Sequence, residues 1–163
     1  IEQELNKLSS YIGDRIRIEQ EDVRALVGGW KVETTWKMID ALRDGRIGES
    51  LELLDNLLNS GEHPLKLLGG INFVYRKYIE AAEWARLGTP LGESLRNAKV
   101  FPQAVEPSGR YFRRVGRPNA ERFLNRLMAA DSDLKGRSTI PDRMRIERLL
   151  VELSGMISAD AVV

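Results

Sequence analysis

An all-α fold is the class this sequence predicts, and three observations carry the prediction. Apolar residues recur at helical spacing along almost the whole chain, without a convincing run of period two. Glycine and proline fall between those stripes, where they stop and start helices. The 163 residues, 42% hydrophobic and 30% charged, have the ordinary balance of a globular domain, with enough chain to bury a core unaided.

Taken in order, Ile1, Leu5, Leu8 and Ile12 form a first stripe that Gly13 closes, and Val23, Leu26 and Val27 form a second that stops at Gly28-Gly29. Glu19, Glu21 and Asp22 sit at the start of that second helix, where negative charge opposes the helix dipole favourably. Ile16 and Ile18 alternate, but two residues make no strand. Two short helices cannot bury their apolar faces alone. Residues 1–29 are therefore expected to end an upstream domain, with the glycine pair as boundary and residues 30–163 as the main domain. The opening Ile-Glu-Gln in place of Met makes the chain an expected fragment of something longer.

Beyond the boundary the stripes lengthen. Trp36, Ile39 and Leu42 predict a helix ending at Asp44-Gly45, and Leu51, Leu54, Leu57 and Leu58 one ending at Ser60-Gly61. Pro64 opens a long third helix, since a first-turn N–H has no partner to lose. Its stripe runs through Leu65, Leu68, Ile71, Tyr75, Tyr78, Ile79 and Ala82 to Gly88. Gly69 and Gly70 interrupt it at about 1 kcal/mol each relative to alanine, which close helix–helix approach would explain. Pro90 starts a short helix through Asn97. Pro102, Pro107 and Gly109 predict a loop over 98–109, with at most a turn of helix, before a brief amphipathic piece at Tyr111, Phe112 and Val115. Pro118 begins a helix with Phe123, Leu124, Leu127, Met128 and Leu134, stopped at Gly136. Pro141 opens the last, with Met144, Ile146, Leu149, Leu150, Leu153 and Ile157.

Little catalytic chemistry is available. Without cysteine there are no disulfides, thiolate zinc sites or cysteine nucleophiles. No Lys precedes Ser or Thr as a P-loop requires, and no strand leads into a GxGxxG turn, so no nucleotide, metal or other cofactor is expected. The sole histidine, His63, precedes Pro64 and reads as a loop or capping residue rather than a base or ligand. Asp131 and Lys135, at i and i+4, read as an ordinary helix pair. Trp30, Trp36 and Trp84 are better explained as core or interface anchors than as a base-stacking platform. No apolar run spans a bilayer and no signal peptide opens the chain, so a cytoplasmic location without membrane contact is expected.

The formal net charge of +1 hides an asymmetry. Residues 1–82 carry 11 basic and 14 acidic side chains, and residues 83–163 carry 14 and 10. The excess is sharpest around Arg110, Arg113, Arg114 and Arg117. That cluster is a solvated face, a contact for an acidic partner, or a contact for nucleic-acid phosphates, with Tyr111 and Phe112 then stacking on bases.

The order of stripes and stops resembles the C-terminal part of the bacterial clamp-loader delta subunit family of DNA polymerase III. Glu4-Leu5, Lys7-Leu8 and Tyr11, then Ile18, Asp22-Val23 and Leu26-Val27, are similar to the last helices of that family's lid domain. Ile39–Gly45 with Leu53-Leu54 and Leu57-Leu58 resembles its first two collar helices. Gly61-Glu62, Pro64, Leu67-Leu68 and Arg76 resemble its "GE-x-P-x-x-LL…R" pattern. Near the end, Ala130-Asp131 with Leu134-Lys135-Gly136, and Glu147, Leu149 and Leu153, look like its closing motifs. Glu19, where the family often has a capping Thr or Ser, the Gly69-Gly70 pair, and the unusually basic 110–117 segment depart from it.

The resemblance implies a helical collar domain that holds clamp-loader subunits together, preceded by lid helices. It implies a non-catalytic subunit of the DNA polymerase III holoenzyme that helps load the sliding clamp onto DNA. Its partners would be the other clamp-loader subunits and, through a domain absent here, the clamp, with DNA a further possible contact. The alternative is a helical nucleic-acid-binding domain that uses the Arg110–Arg117 cluster.

Overall fold

The computed structural model describes residues 29–136 and 139–156; the two N-terminal stripes, the domain boundary proposed at residue 29 and Ile157 lie wholly or largely outside them. The described residues form eight helices and no strand. They are α1 (Gly29–Arg43), α2 (Ile47–Asn59), α3 (Pro64–Arg86), α4 (Leu91–Asn97), α5 (Pro102–Val115), α6 (Arg117–Ala120), α7 (Phe123–Lys135) and α8 (Asp142–Ser154).

The central element is α3, whose buried face carries Leu67, Leu68, Ile71, Tyr75, Tyr78 and Ala81. Leu65, read from sequence as part of this stripe, lies outside the core instead. The entry to α3 is built from its own turn. His63 Nδ1 accepts the Leu65 N–H at 3.3 Å, and Pro64 occupies the first helical position. The Glu62 carboxylate, itself buried, accepts the His63 N–H at 3.2 Å and pairs with Lys66 at 3.2 Å. The capping role read for His63 thus has a geometry.

Helices α1 and α2 pair as a hairpin. Met38, Ile39, Ala41 and Leu42 face inward against Leu54 and Leu57, and the buried Ser50 hydroxyl donates to the Met38 carbonyl at 3.0 Å. Thr35 Cγ2 lies 3.0 Å from where a Cβ on Gly70 would stand, so the expected close approach is real at Gly70. Gly69 faces open space and has no such reason.

Two corrections concern α5–α7. The segment read as a loop is a continuous helix from Pro102, with Pro107 inside it. Pro107 removes one intrahelical hydrogen bond, at a cost of about 3 kcal/mol. Against that, Ala104, Val105, Ser108, Tyr111, Phe112 and Val115 line up across it as one inward stripe. The helix read as starting at Pro118 is two pieces: α6 covers Arg117–Ala120, and a turn at Glu121-Arg122 separates it from α7. Gly116 joins α5 to α6 at φ 74° and ψ 158°, a backbone region that essentially only glycine enters.

The last helix packs against α7 and α2. Ile146, Leu149, Leu150 and Leu153 are all buried, as their spacing predicts, and Arg148 lies on the exposed side, where it pairs with Glu152 at 2.7 Å. On α7 the inward residues are Phe123, Leu127 and Ala130, while Leu124 and Met128 face out. Gly155 ends α8 at φ 78°, and a Cβ there would meet Val115 Cα at 3.2 Å.

Long-range side chains add donors at the C-terminal ends of two helices. Arg114 Nη2 donates to the Leu42 and Arg43 carbonyls, at 3.2 and 2.9 Å, at the end of α1. Arg126 Nη1 donates to the Glu152 carbonyl at 2.6 Å, and the Tyr111 hydroxyl to that of Leu153 at 2.6 Å, at the end of α8. Gly45 closes α1 locally, its N–H donating to the Leu42 carbonyl at 3.1 Å; the arginines add to such turns, and a cation at a helix C-terminus also favours the helix dipole. Arg145, nearly buried, ties α8 to the Asp133 carbonyl on α7 and pairs with Asp142 at 3.2 Å.

Candidate functional site

The four arginines singled out by the sequence do not form one basic face. Arg114, though exposed, reaches back to the end of α1 and lies over the Tyr111 ring at 5.4 Å. Arg110 and Arg113 point outward from α5 and share the Glu106 carboxylate, at 3.6 and 3.5 Å. Arg117 pairs with Glu121 at 2.8 Å. Arg113 and Arg117 instead meet Arg86 of α3 around a cavity of about 180 Å³ floored by Leu91 and Phe112. Arg86, held by Glu83 at 2.6 Å, was missed because it lies far away in sequence.

Tyr111 and Phe112 are not available for stacking on bases. Both are buried, within an aromatic group that also contains Tyr75, Tyr78 and Phe123. Tyr111 stacks on Phe123 with centroids 5.8 Å apart and planes 13° from parallel. Its hydroxyl is hydrogen-bonded to that of Tyr75 at 2.9 Å, and the Tyr78 hydroxyl pairs with the Ser108 hydroxyl at 2.8 Å. Burial pushes the phenols of Tyr75, Tyr78 and Tyr111 above their ordinary range, so they remain neutral hydrogen-bonding groups rather than acids or bases near neutral pH. Among the described residues, no group of three or more His, Asp or Glu side chains gathers at metal-binding distance.

The surface carries two apolar grooves along α3. The first, about 350 Å³, runs between α1, α3 and the start of α5, and is walled by Trp36, Phe73, Val74, Val100 and Phe101. The Trp36 and Phe73 rings meet edge to face at 5.8 Å. Lys77 Nζ lies 4.9 Å from the Phe73 centroid and 4.3 Å from that of Phe101, bridging the two rings. The second groove, about 480 Å³, lies between α3 and α7 and is lined by Ile79, Leu124 and Met128, with Arg76 and Asp131 at its edge. Helical spacing marked Trp36, Leu124 and Met128 as apolar positions, but could not separate inward from outward members of a broad stripe. Trp36 and Trp84 are exposed and Trp30 half-buried, so these tryptophans are surface rather than core residues.

No helix among the described residues is long and apolar enough to cross a membrane. The described surface carries apolar grooves edged by cations, on a scaffold fixed by buried aromatics.

Comparison with known proteins bears on what that surface serves. The family model for the DNA polymerase III delta subunit, C-terminal domain, matches residues 33–153. A DNA polymerase III subunit delta from Bacillus subtilis (strain 168) is 27% identical over 133 residues, which cover 82% of this chain and 38% of that protein. The solved structure of a Bacillus subtilis DNA clamp loader delta protein is similar with a TM-score of 0.57 at 25% identity, over 93% of this chain and 44% of that one. The chain spans less than half the length of either relative.

Proposed function

Because the chain belongs to the family of C-terminal domains of the DNA polymerase III delta subunit, we propose that it is the collar, or subunit-assembly, region of a clamp-loader delta subunit. In that role it helps load the sliding clamp onto DNA during replication, in the bacterial cytoplasm. The observation that carries this reading is the family match over residues 33–153, which runs from α1 into α8. The names of the two relatives, a DNA polymerase III subunit and a DNA clamp loader protein, support it.

Residues 1–29 are assigned to the end of a lid domain, and clamp contact to a further N-terminal region. The delta subunit is a non-catalytic member of the holoenzyme, and other clamp-loader subunits are its partners. The physical basis for assembly is apolar surface beyond what the chain's own core uses, at Phe73, Phe101, Leu124 and Met128. Of the arginine cluster, Arg114 serves the fold, while Arg110, Arg113 and Arg117 sit in exposed pairs with Glu106 and Glu121 that an acidic partner surface would compete for. Charge complementarity at such a rim sets partner choice more than raw affinity.

The test is co-expression with the remaining subunits of the cognate bacterial clamp loader, followed by size-exclusion chromatography with light scattering. The expected result is one complex containing the chain in fixed stoichiometry. Elution of the chain apart from the others would overturn the reading.

A further inference from the structure

We propose that the groove between α1, α3 and the start of α5 seats an apolar side chain flanked by a carboxylate, presented by a neighbouring clamp-loader subunit. This rests on the assembly reading above and names the surface and the chemistry of the contact.

Two observations single out the groove. Phe73 and Phe101 are 50% and 56% exposed and Trp36 is 38% exposed, an unusual amount of large aromatic surface held against water in one place. The groove they wall measures about 350 Å³, room for large side chains rather than a shallow dimple. Aromatic anchors that become buried on association dominate the energetics of protein interfaces.

Charge selects the occupant. Lys77 holds its ammonium over the Phe73 and Phe101 rings, at 4.9 and 4.3 Å, and among the described residues no carboxylate pairs with it. Its position is therefore fixed by the rings, and its remaining donors are open to an incoming carboxylate. Nucleic acid suits the groove poorly. Arg43, the other cation lining it, is already held by Asp40 at 2.7 Å and Asp44 at 2.9 Å, and a phosphate backbone asks for several free cations. Asp40 also lines the groove but is matched by Arg43, so the ammonium of Lys77 beside the apolar walls fits one carboxylate next to one hydrophobic side chain.

The experiment measures affinity between the full chain and its cognate clamp-loader subunits for the wild type and four variants. Phe101→Ser should weaken binding by about tenfold or more, as loss of a buried aromatic anchor does. Lys77→Met, which keeps the stem over the rings but removes the charge, should weaken it severalfold, and Lys77→Glu by more. Leu87→Ser, on a residue 65% exposed and outside this groove, should leave it unchanged. All four substitutions are at the surface, and unchanged thermal melting verifies their folding. Wild-type affinity in Phe101→Ser, or in both Lys77 variants, would overturn the groove assignment while leaving the assembly reading intact. Loss in Leu87→Ser equal to that in Phe101→Ser would overturn it too. A wild-type chain that binds none of these subunits would overturn the assembly reading, and this inference with it. Loss of DNA binding in the Lys77 variants with unchanged affinity for the subunits would assign the groove to nucleic acid instead.

Discussion

Helix α3 contributes to two aromatic groups of opposite character. Tyr75 and Tyr78 face Tyr111, Phe112 and Phe123 in a group sealed from water, whereas Phe73 meets Trp36 and, across Lys77, Phe101 in one left open to it. The buried group is rich in hydroxyls, and each hydroxyl has a partner inside the molecule: Tyr75 with Tyr111, Tyr111 with the Leu153 carbonyl, Tyr78 with Ser108. The open group has no hydroxyl, and its charged member, Lys77, pairs with no carboxylate among the described residues. A buried polar atom must be satisfied by the chain itself, because leaving it unpaired costs about 1–3 kcal/mol. The buried group thus closes on itself and fixes how α3, α5, α7 and α8 meet, while the open group keeps apolar surface and charge available for another molecule.

Leu150→Asp breaks the buried side most severely. Leu150 is fully buried on α8, so an unpaired carboxylate there should cost several kcal/mol and bring the domain to the edge of its stability. Chemical denaturation checks this, and an unchanged midpoint would remove α8 from the core. Tyr111→Phe is gentler and more specific. It keeps the ring on Phe123 but strips the donor from the Leu153 carbonyl and a partner from Tyr75, for a loss of about 1–3 kcal/mol. Tyr75→Phe should be less damaging, because Tyr111 keeps its carbonyl acceptor.

The pH dependence follows from the same phenols. Folding raises their pKa values above the ordinary phenol value near 10, so the folded state retains protons that the unfolded state releases. Their contribution is fully present below about pH 10 and is lost as pH rises through the folded values. Stability should be insensitive to these groups at neutral pH and fall above about pH 10, with phenolate absorbance from all three appearing only as the chain unfolds. The smallest effect separates the arginines. Arg114→Ala should cost about 1 kcal/mol through loss of its two hydrogen bonds to the end of α1, and Arg110→Ala no more than about 0.5 kcal/mol. Paired thermal melts distinguish them.

Local pattern made some of this legible and not the rest. The His63-Pro64 entry to α3 and the stripe Ile146, Leu149, Leu150 and Leu153 depend on neighbours within a turn or two, and both were readable. Helix α5 was not, because Pro107 is a local helix breaker and the stripe that outweighs it acts through contacts with distant residues such as Tyr78. The break at Glu121-Arg122 lacks a glycine or proline to announce it. Arg114 carried the same signal as Arg110 and Arg113, positive charge in a basic run, although its partners lie 71 and 72 residues earlier. Tyr111 and Phe112 looked like stacking residues because composition shows aromatics among arginines but not which way each side chain points. The open groove follows the same logic: Trp36, Phe73 and Phe101 come from three separate segments, and only the fold brings them together.

The division between the two aromatic groups can be read from the melting temperature of the chain, alone and with its cognate clamp-loader subunits added. A partner that binds only the folded state raises that temperature by mass action. Tyr111→Phe should melt lower than wild type when free, yet gain as much on adding the subunits. Phe101→Ser should melt like wild type when free and lose most of the gain. The opposite pattern, a lowered free melting point with full gain in Phe101→Ser, would show that the open group serves the fold rather than a partner.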